Sequence, residues 1–145
     1  MATYTIEHVA QFDSALIAPI ADMLAQLTAR EYPFGEQELR AIIEDSASQL
    51  FIMRDDERIM GMLTLGHYTS PTGRKVWVED VVVSADYRGK GLGRRLINHA
   101  IEYCRENLSP CTLMLTSNPA RIAANELYRT SGFESKQTNV YKMTF

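Results

Sequence analysis

Val81-Val82-Val83-Ser84-Ala85-Asp86-Tyr87-Arg88-Gly89-Lys90-Gly91-Leu92-Gly93-Arg94-Arg95 is the stretch on which the reading of this chain turns. A β-branched run leads through a short connection into three alternating glycines, and an amphipathic helical pattern follows. Glycines at the mouth of a helix let several backbone N–H groups face one point, and the helix N-terminus adds unpaired donors and partial positive charge. A first helical turn ordinarily favours Asp or Glu. Here Arg88, Lys90, Arg94 and Arg95 crowd it, which an anionic ligand, above all a phosphate, would explain. A Walker-type loop needs Ser or Thr after the lysine, yet Gly91 follows Lys90. A dinucleotide fingerprint starting at Gly89 needs a third glycine where Arg94 stands. What remains is Arg-x-x-Gly-x-Gly shortly after a strand, which a plain glycine turn with solvated cations would also satisfy.

The rest of the chain sets the background for that cluster. Its 145 residues are expected to form a single domain, 1–145, with one substantial core. Hydrophobic residues make up 46% and charged residues 23%, the balance of an ordinary globular protein. A net charge of −3 argues against general nucleic-acid binding, so the basic cluster reads as a local site. Cys104 and Cys111 have no metal-ligand spacing and read as free thiols in a reducing compartment. The first residues lack a basic and apolar leader, and no apolar run approaches membrane-spanning length, so a cytoplasmic location without membrane association is expected. His8, His67 and His99 lack partners at ligand spacing, so no metal is expected.

Periodicity places the elements. Residues 3–8 alternate as a short strand, and Asp13 to Arg30 carries a helical stripe in which Pro19 implies a late start or a kink. Glu36 to Ser46 reads as a second helix. Gln49 to Arg54 and Arg58 to His67 read as strands joined at Asp55-Asp56-Glu57. After the turn Ser70-Pro71-Thr72-Gly73, Lys75 to Ser84 reads as a central strand, because consecutive valines imply burial on both faces. Gly91 to Glu106 is the clearest helix, closed by Asn107 and Pro110. A strand over Cys111 to Thr116, a helix over Pro119 to Arg129 and a final strand through Tyr141, Met143 and Phe145 complete the order β-α-α-β-β-β-α-β-α-β. That order predicts an α/β (α+β mixed) fold, a central mixed sheet flanked by helices on both faces.

Two signatures then stand in order. The first is Val78-Glu79-Asp80-Val81-Val82-Val83 running into Arg88-x-x-Gly91-x-Gly93. The second is Arg121-x-x-Ala124-x-x-Leu127-Tyr128 followed by Gly132-Phe133. Together they resemble the GNAT superfamily of N-acetyltransferases, with specific matches over residues 76 to 133 and agreement in element order alone over residues 1 to 75. The resemblance implies acetyl-CoA as acyl donor. It implies that the pyrophosphate lies on the loop Arg88, Gly89, Lys90, Gly91, Leu92, Gly93 and Arg94, and that Val81, Val82 and Val83 also contact the cofactor. It also implies that Tyr128 lies near the CoA sulfur. Many members carry Asn seven residues before that tyrosine. Here the position is Arg121, with Asn118 and Asn125 as nearby alternatives for the polar contact to the CoA pantetheine arm.

Amine attack on a thioester needs a neutral amine, a polarised carbonyl and a proton for the leaving thiolate. A free backbone N–H in 81–83 could polarise the carbonyl, and the Tyr128 phenol could protonate the sulfur. Glu79 could take the ammonium proton, directly or through water. Regular alternation sends Glu79 and its neighbour Asp80 to opposite faces, so at most one faces the cleft squarely. The resemblance, through the family's usual base position, implies Glu79 as the base, with Asp80 a structural residue. Glu31, Glu36, Glu38, Glu44 and Asp45 lie around the first two helices, which cover the acceptor site in proteins of this family. They could attract a cationic amine, although a solvated face is the plainer explanation. The expected function is acetyl transfer to a primary amine by direct attack in a ternary complex. The acceptor stays open among an amino sugar phosphate, a polyamine, an amino acid, an antibiotic and a protein amine. The rival is a non-catalytic acyl-CoA-binding regulatory module. Apolar alternation from Val140 to Phe145 suggests an edge strand that invites pairing between chains, and the resemblance, since proteins of this family are often dimers, implies a homodimer.

Overall fold

The three valines lie in β4 (Gly73–Val83), an inner strand of a five-stranded sheet ordered β1-β2-β3-β4-β5. The computed structural model describes residues 3–145. β1 (Tyr4–His8), β2 (Ser48–Asp55), β3 (Arg58–Ser70) and β4 pair antiparallel in sequence, and β5 (Thr112–Met114) adds parallel to β4. Parallel addition requires a crossover, which α3 (Leu92–Tyr103) supplies. α1 (Ile17–Thr28) and α2 (Glu36–Glu44) connect β1 to β2, and α4 (Ile122–Thr130) follows β5. The mixed sheet with helices on both faces is as the sequence leads one to expect.

Alternation on β2 shows how the sheet divides the core. Phe51 and Met53 face one side and pack with Val76, Val78, the α3 residues Leu96 and Ile97, and Tyr128 of α4. Leu50 and Ile52 face the other side and pack with Ile20 and Met23 of α1, Leu39 of α2, Met62 and Val82. Pro19 falls in the first turn of α1, where its missing N–H has no partner to lose, so it marks a late start and not a kink. α1 ends at Ala29, held left-handed at φ 55°. α3 widens into a π-helical turn over Cys104–Leu108, just before Pro110.

Three expectations need correction. α4 starts at Ile122 and not at Pro119, because the Asn118 side chain accepts from Ala120 N (2.8 Å) and holds 118–120 in a turn. β5 spans three residues, shorter than the six expected over 111–116. The final strand is absent. Residues 134–145 pair with no strand among the described residues, and Val140, Tyr141 and Met143 are 71%, 88% and 78% exposed. Alternation gives a segment an apolar face, but a strand forms only against a neighbour.

Candidate active site

The site is organised by a fault in the β3–β4 ladder. Thr64 pairs with Glu79 and Met62 with Val82, so Leu63 stands opposite both Asp80 and Val81. This is a β-bulge, and Asp80 takes the strain in a left-handed conformation, φ 50°. The extra residue resets the alternation. Val78 and Val81 both pack on the α3 face, and Val82 packs on the α1 face. Glu79, alternating from Val78, and Asp80 are therefore both directed to the α1–α2 side, which corrects the expectation that they face opposite ways.

A second irregularity lies on the other edge of β4. Its pairing with β5 stops at Trp77–Met114, so residues 78–83 have no β5 partner. The strands part there, and backbone groups on that edge are left for a ligand. The gap opens into a groove of about 400 Å³ lined by Val81, Val82, Val83, Arg88 and Arg121, together with Gln26 and Leu27 of α1. Arg88 Nε donates to Val83 O (3.0 Å), which ties the glycine loop to the end of β4. Gln26 was not apparent from the sequence. Its Oε1 accepts from Ala85 N (2.8 Å) and its amide reaches Ser84 Oγ at 3.5 Å, clamping α1 to the loop. A polar residue inside an apolar helical stripe was the only signal for it.

Gly89 and Gly91 have φ of 80° and 74°, and a Cβ on either would meet no atom within 4 Å. Both therefore serve a left-handed turn that leaves open space beside the backbone. No side chain caps α3 and its first turn holds no acid, so its amide donors have no partner among side chains. The expected binding residues differ in what surrounds them. Lys90 lies 5.7 Å from the Tyr87 ring. Arg94 donates to Thr130 Oγ1 (2.7 Å) and Ser131 Oγ (3.4 Å), joining α3 to α4. A Cβ on Gly93 would lie 3.3 Å from Leu127 Cδ2, so close helix packing accounts for that glycine. The Leu92 side chain is buried in the core and offers the groove its backbone only.

At the other end, Asn125 Nδ2 donates to Asn118 O (2.9 Å), so these two side chains serve the turn before α4. Arg121, the residue at the departure from the family pattern, lines the groove instead. Ser117 Oγ is buried without a hydrogen-bond partner at the carboxyl end of β5, a place where ligands bind in α/β sheets. This orphan hydroxyl, the open glycine turn and the uncapped helix fit a phosphate-bearing, amide-rich donor such as acetyl-CoA.

Tyr128 is buried, packs edge-on to Phe133 at 6.2 Å between ring centroids, and makes no side-chain hydrogen bond among the described residues. Burial raises its phenol pKa above 10.0, while the Arg121 charge pulls slightly the other way. It is therefore protonated at neutral pH, as an acid should be. Burial also raises both carboxyls, and the Asp80 charge adds to the rise at Glu79. Asp80 is solvent-accessible yet recessed, since it lines a second cavity of about 650 Å³ between the sheet, α1 and α2. The two cavities meet on β4: Asp80 belongs to one and Val81 to the other. Cys104, pushed up to about 12 chiefly by burial, is a poor nucleophile. Among the described residues no group of His, Cys, Asp and Glu could hold a metal ion, and no helix is long and apolar enough to cross a membrane.

Residues 20–133 match the Acetyltransferase (GNAT) family, and the chain belongs to it. The chain is 27% identical over 126 residues to the uncharacterized N-acetyltransferase YhfO of Bacillus subtilis (strain 168), covering 84% of each. It is 41% identical over 56 residues to Streptothricin acetyltransferase A of the same organism, covering 39% of this chain and 32% of that one. Among solved structures, a transcriptional regulator from Bacillus halodurans C-125 superposes with a TM-score of 0.82 at 26% identity, covering 99% of this chain and all of that one. The chain is thus a GNAT-family acetyltransferase in fold and in sequence.

Proposed function

We propose that this chain moves acetyl from acetyl-CoA to a primary amine by direct attack within a ternary complex. The observation that carries the reading is the meeting of two cavities on successive residues of β4, Asp80 and Val81. A donor held in the groove and an amine held in the cavity would face each other at the bulge. Acetyl-CoA, when bound, supplies the activated acetyl group. The Gly89–Gly91 turn and the uncapped start of α3 hold its pyrophosphate, and Val81 to Val83 and Arg121 line the path of its arm.

Transfer forms a C–N bond and breaks the thioester C–S bond, so the amine loses a proton and the sulfur gains one. The paired carboxyls Glu79 and Asp80 take the first proton. Asp80 faces the amine cavity, and the exposed Glu79 next to it passes the proton to solvent. Their raised pKa values strengthen them as bases near neutral pH. Tyr128 holds the second proton at its Oη. The buried Cys104 disfavours an acyl-enzyme, and the presence of Tyr128 with two carboxyls disfavours a binding-only module. The enzyme acts as a cytoplasmic homodimer in which residues 138–145 of one copy add to the free edge of β5 in the other. The uncovered Val140, Tyr141, Met143 and Phe145 support that assembly.

Thiol release from acetyl-CoA across a panel of amines tests the reading. Turnover with intersecting initial-velocity lines is the expected result. Parallel lines would instead require a covalent acyl-enzyme, and CoA binding without turnover of any amine would leave the binding module.

A further inference from the structure

We infer that the acceptor is a primary amine carried on an apolar body, without a phosphate or carboxylate beside the amine. This inference rests on the acetyl-transfer reading and narrows its substrate. It comes from the composition of the cavity wall. Ile20, Leu24, Phe34, Ile42, Leu50 and Met62 supply aliphatic and aromatic surface from both helices, their connection and two strands. The charged side chains on the wall are Glu38 and Asp80, both acids. Among the described residues no Lys, Arg or His lines it.

The one cation on α2 is engaged elsewhere. Arg40, on the same helix as Glu38, pairs with Glu36 at 2.8 Å and lies 4.0 Å over the Phe12 ring. Glu38 is held in place because its Oε2 accepts from Gly35 N at 2.9 Å, and its other oxygen is uncommitted. An acceptor carrying phosphate or carboxylate would shed hydration here, find no countercharge, and confront two acids. An ammonium group is drawn in by the same acids, and Asp80 stands where it must lose its proton. The hydrocarbon attached to it replaces water against the apolar wall. Specificity would therefore come from repulsion of anionic amines as well as from apolar contact. An amino sugar phosphate and a free amino acid are excluded on the first ground, and a polyamine gains little on the second.

The test uses the full chain, acetyl-CoA, and acceptors matched in shape. Phenethylamine and phenylalanine share ring and amine and differ by the carboxylate. Hexylamine, spermidine and glucosamine 6-phosphate complete the panel. The kcat/KM for phenethylamine is expected to exceed that for phenylalanine by about tenfold or more, the scale on which an uncompensated buried charge discriminates. Ile42→Lys places a cation on the wall away from the reacting groups, and should raise the phenethylamine KM about tenfold while CoA affinity stays unchanged. Should that variant not fold, Ala41→Trp, on the exposed part of α2, fills the same cavity and should raise the same KM. Equal or better turnover of phenylalanine or glucosamine 6-phosphate overturns the acceptor class and leaves acetyl transfer standing. So does an unchanged phenethylamine KM in the folded wall variant. No turnover of any amine by an enzyme that binds acetyl-CoA overturns the acetyl-transfer reading, and this inference with it.

Discussion

Replacing Tyr128 by Phe removes one oxygen from a buried ring and isolates the proton-donor role. The ring packs against Phe133 at 6.2 Å between centroids, and the substitution keeps that contact. The hydroxyl makes no hydrogen bond among the described residues, so no partner there is orphaned and stability should change by less than about 1 kcal/mol. For a chain of this size that is within about 4 °C in Tm. Catalysis should respond on another scale. Loss of general acid assistance to the departing sulfur should slow the chemical step by about 10²–10⁴-fold, or roughly 3–5 kcal/mol of barrier. Affinity for CoA and the acceptor KM should move by less than about threefold, because the proton is needed only as the C–S bond breaks. Rapid-quench single-turnover measurements read the chemical step directly, beside calorimetric CoA titration and thermal melts. With its pKa raised above 10.0 by burial, Tyr128 contributes no limb to the rate profile between pH 6 and 9. A variant with wild-type single-turnover rates would refute the assignment and show that the thiolate leaves with other help.

Gly91→Asp puts a like charge and a strained φ of 74° into open space beside the donor, so the fold should survive while CoA affinity falls about 10–100-fold; unchanged calorimetric affinity removes the loop from the site. Asp80→Asn keeps a residue tolerant of φ 50° but should slow single turnover about 10²–10⁴-fold. The carboxyl it removes has a folded pKa above the ordinary 3.8 through burial, so the native state holds that proton more tightly than the unfolded state. Wild-type stability is therefore favoured below that value and lost as pH rises through the folded pKa, and urea midpoints should shift toward the Asn variant between pH 3.5 and pH 7. A difference that does not change with pH sinks the burial argument. Light scattering at micromolar concentration should show a dimer that becomes a monomer when residues 138–145 are deleted; a monomeric full-length chain ends the strand-exchange idea. Ala29→Gly relieves a left-handed helix cap and should stabilise the fold by about 1 kcal/mol, visible as a higher Tm.

The fold was readable wherever one local pattern decided an element. The valine run, the glycine turn and the stripe Leu92, Leu96, Ile97 and Ala100 put β4 and α3 in place, and with them the donor groove. The bulge at Asp80 was not readable, because it lies in the register between β3 and β4 and no residue type announces it. Alternation carried past Asp80 consequently gave the wrong face for one carboxyl. The glycines looked equivalent in one dimension. In three, Gly91 serves an open turn, whereas Gly93 serves the approach of Leu127. Arg94 likewise belonged by spacing to an anion cluster, but it bonds to the end of α4. The tail from Val140 to Phe145 carries a strand pattern yet pairs with no strand among the described residues.

The sheet lies between two cores that share no side chain: Phe51 and Met53 belong to one, and Leu50 and Ile52 to the other. A mutation among Ile20, Leu24 or Ile42 disturbs the layer over the cavity that Asp80 lines and leaves the α3 layer, which carries the glycine turn, intact. Amide exchange should reveal the two layers opening separately, with α1 and α2 exchanging before α3. The same separation gives a lineage room to change what it acetylates. Drift at Ile20, Leu24 or Ile42 can redraw that cavity one side chain at a time while the α3 layer under the glycine turn keeps its packing, and Gln26 and Leu27, which line the groove, mark where α1 loses that freedom.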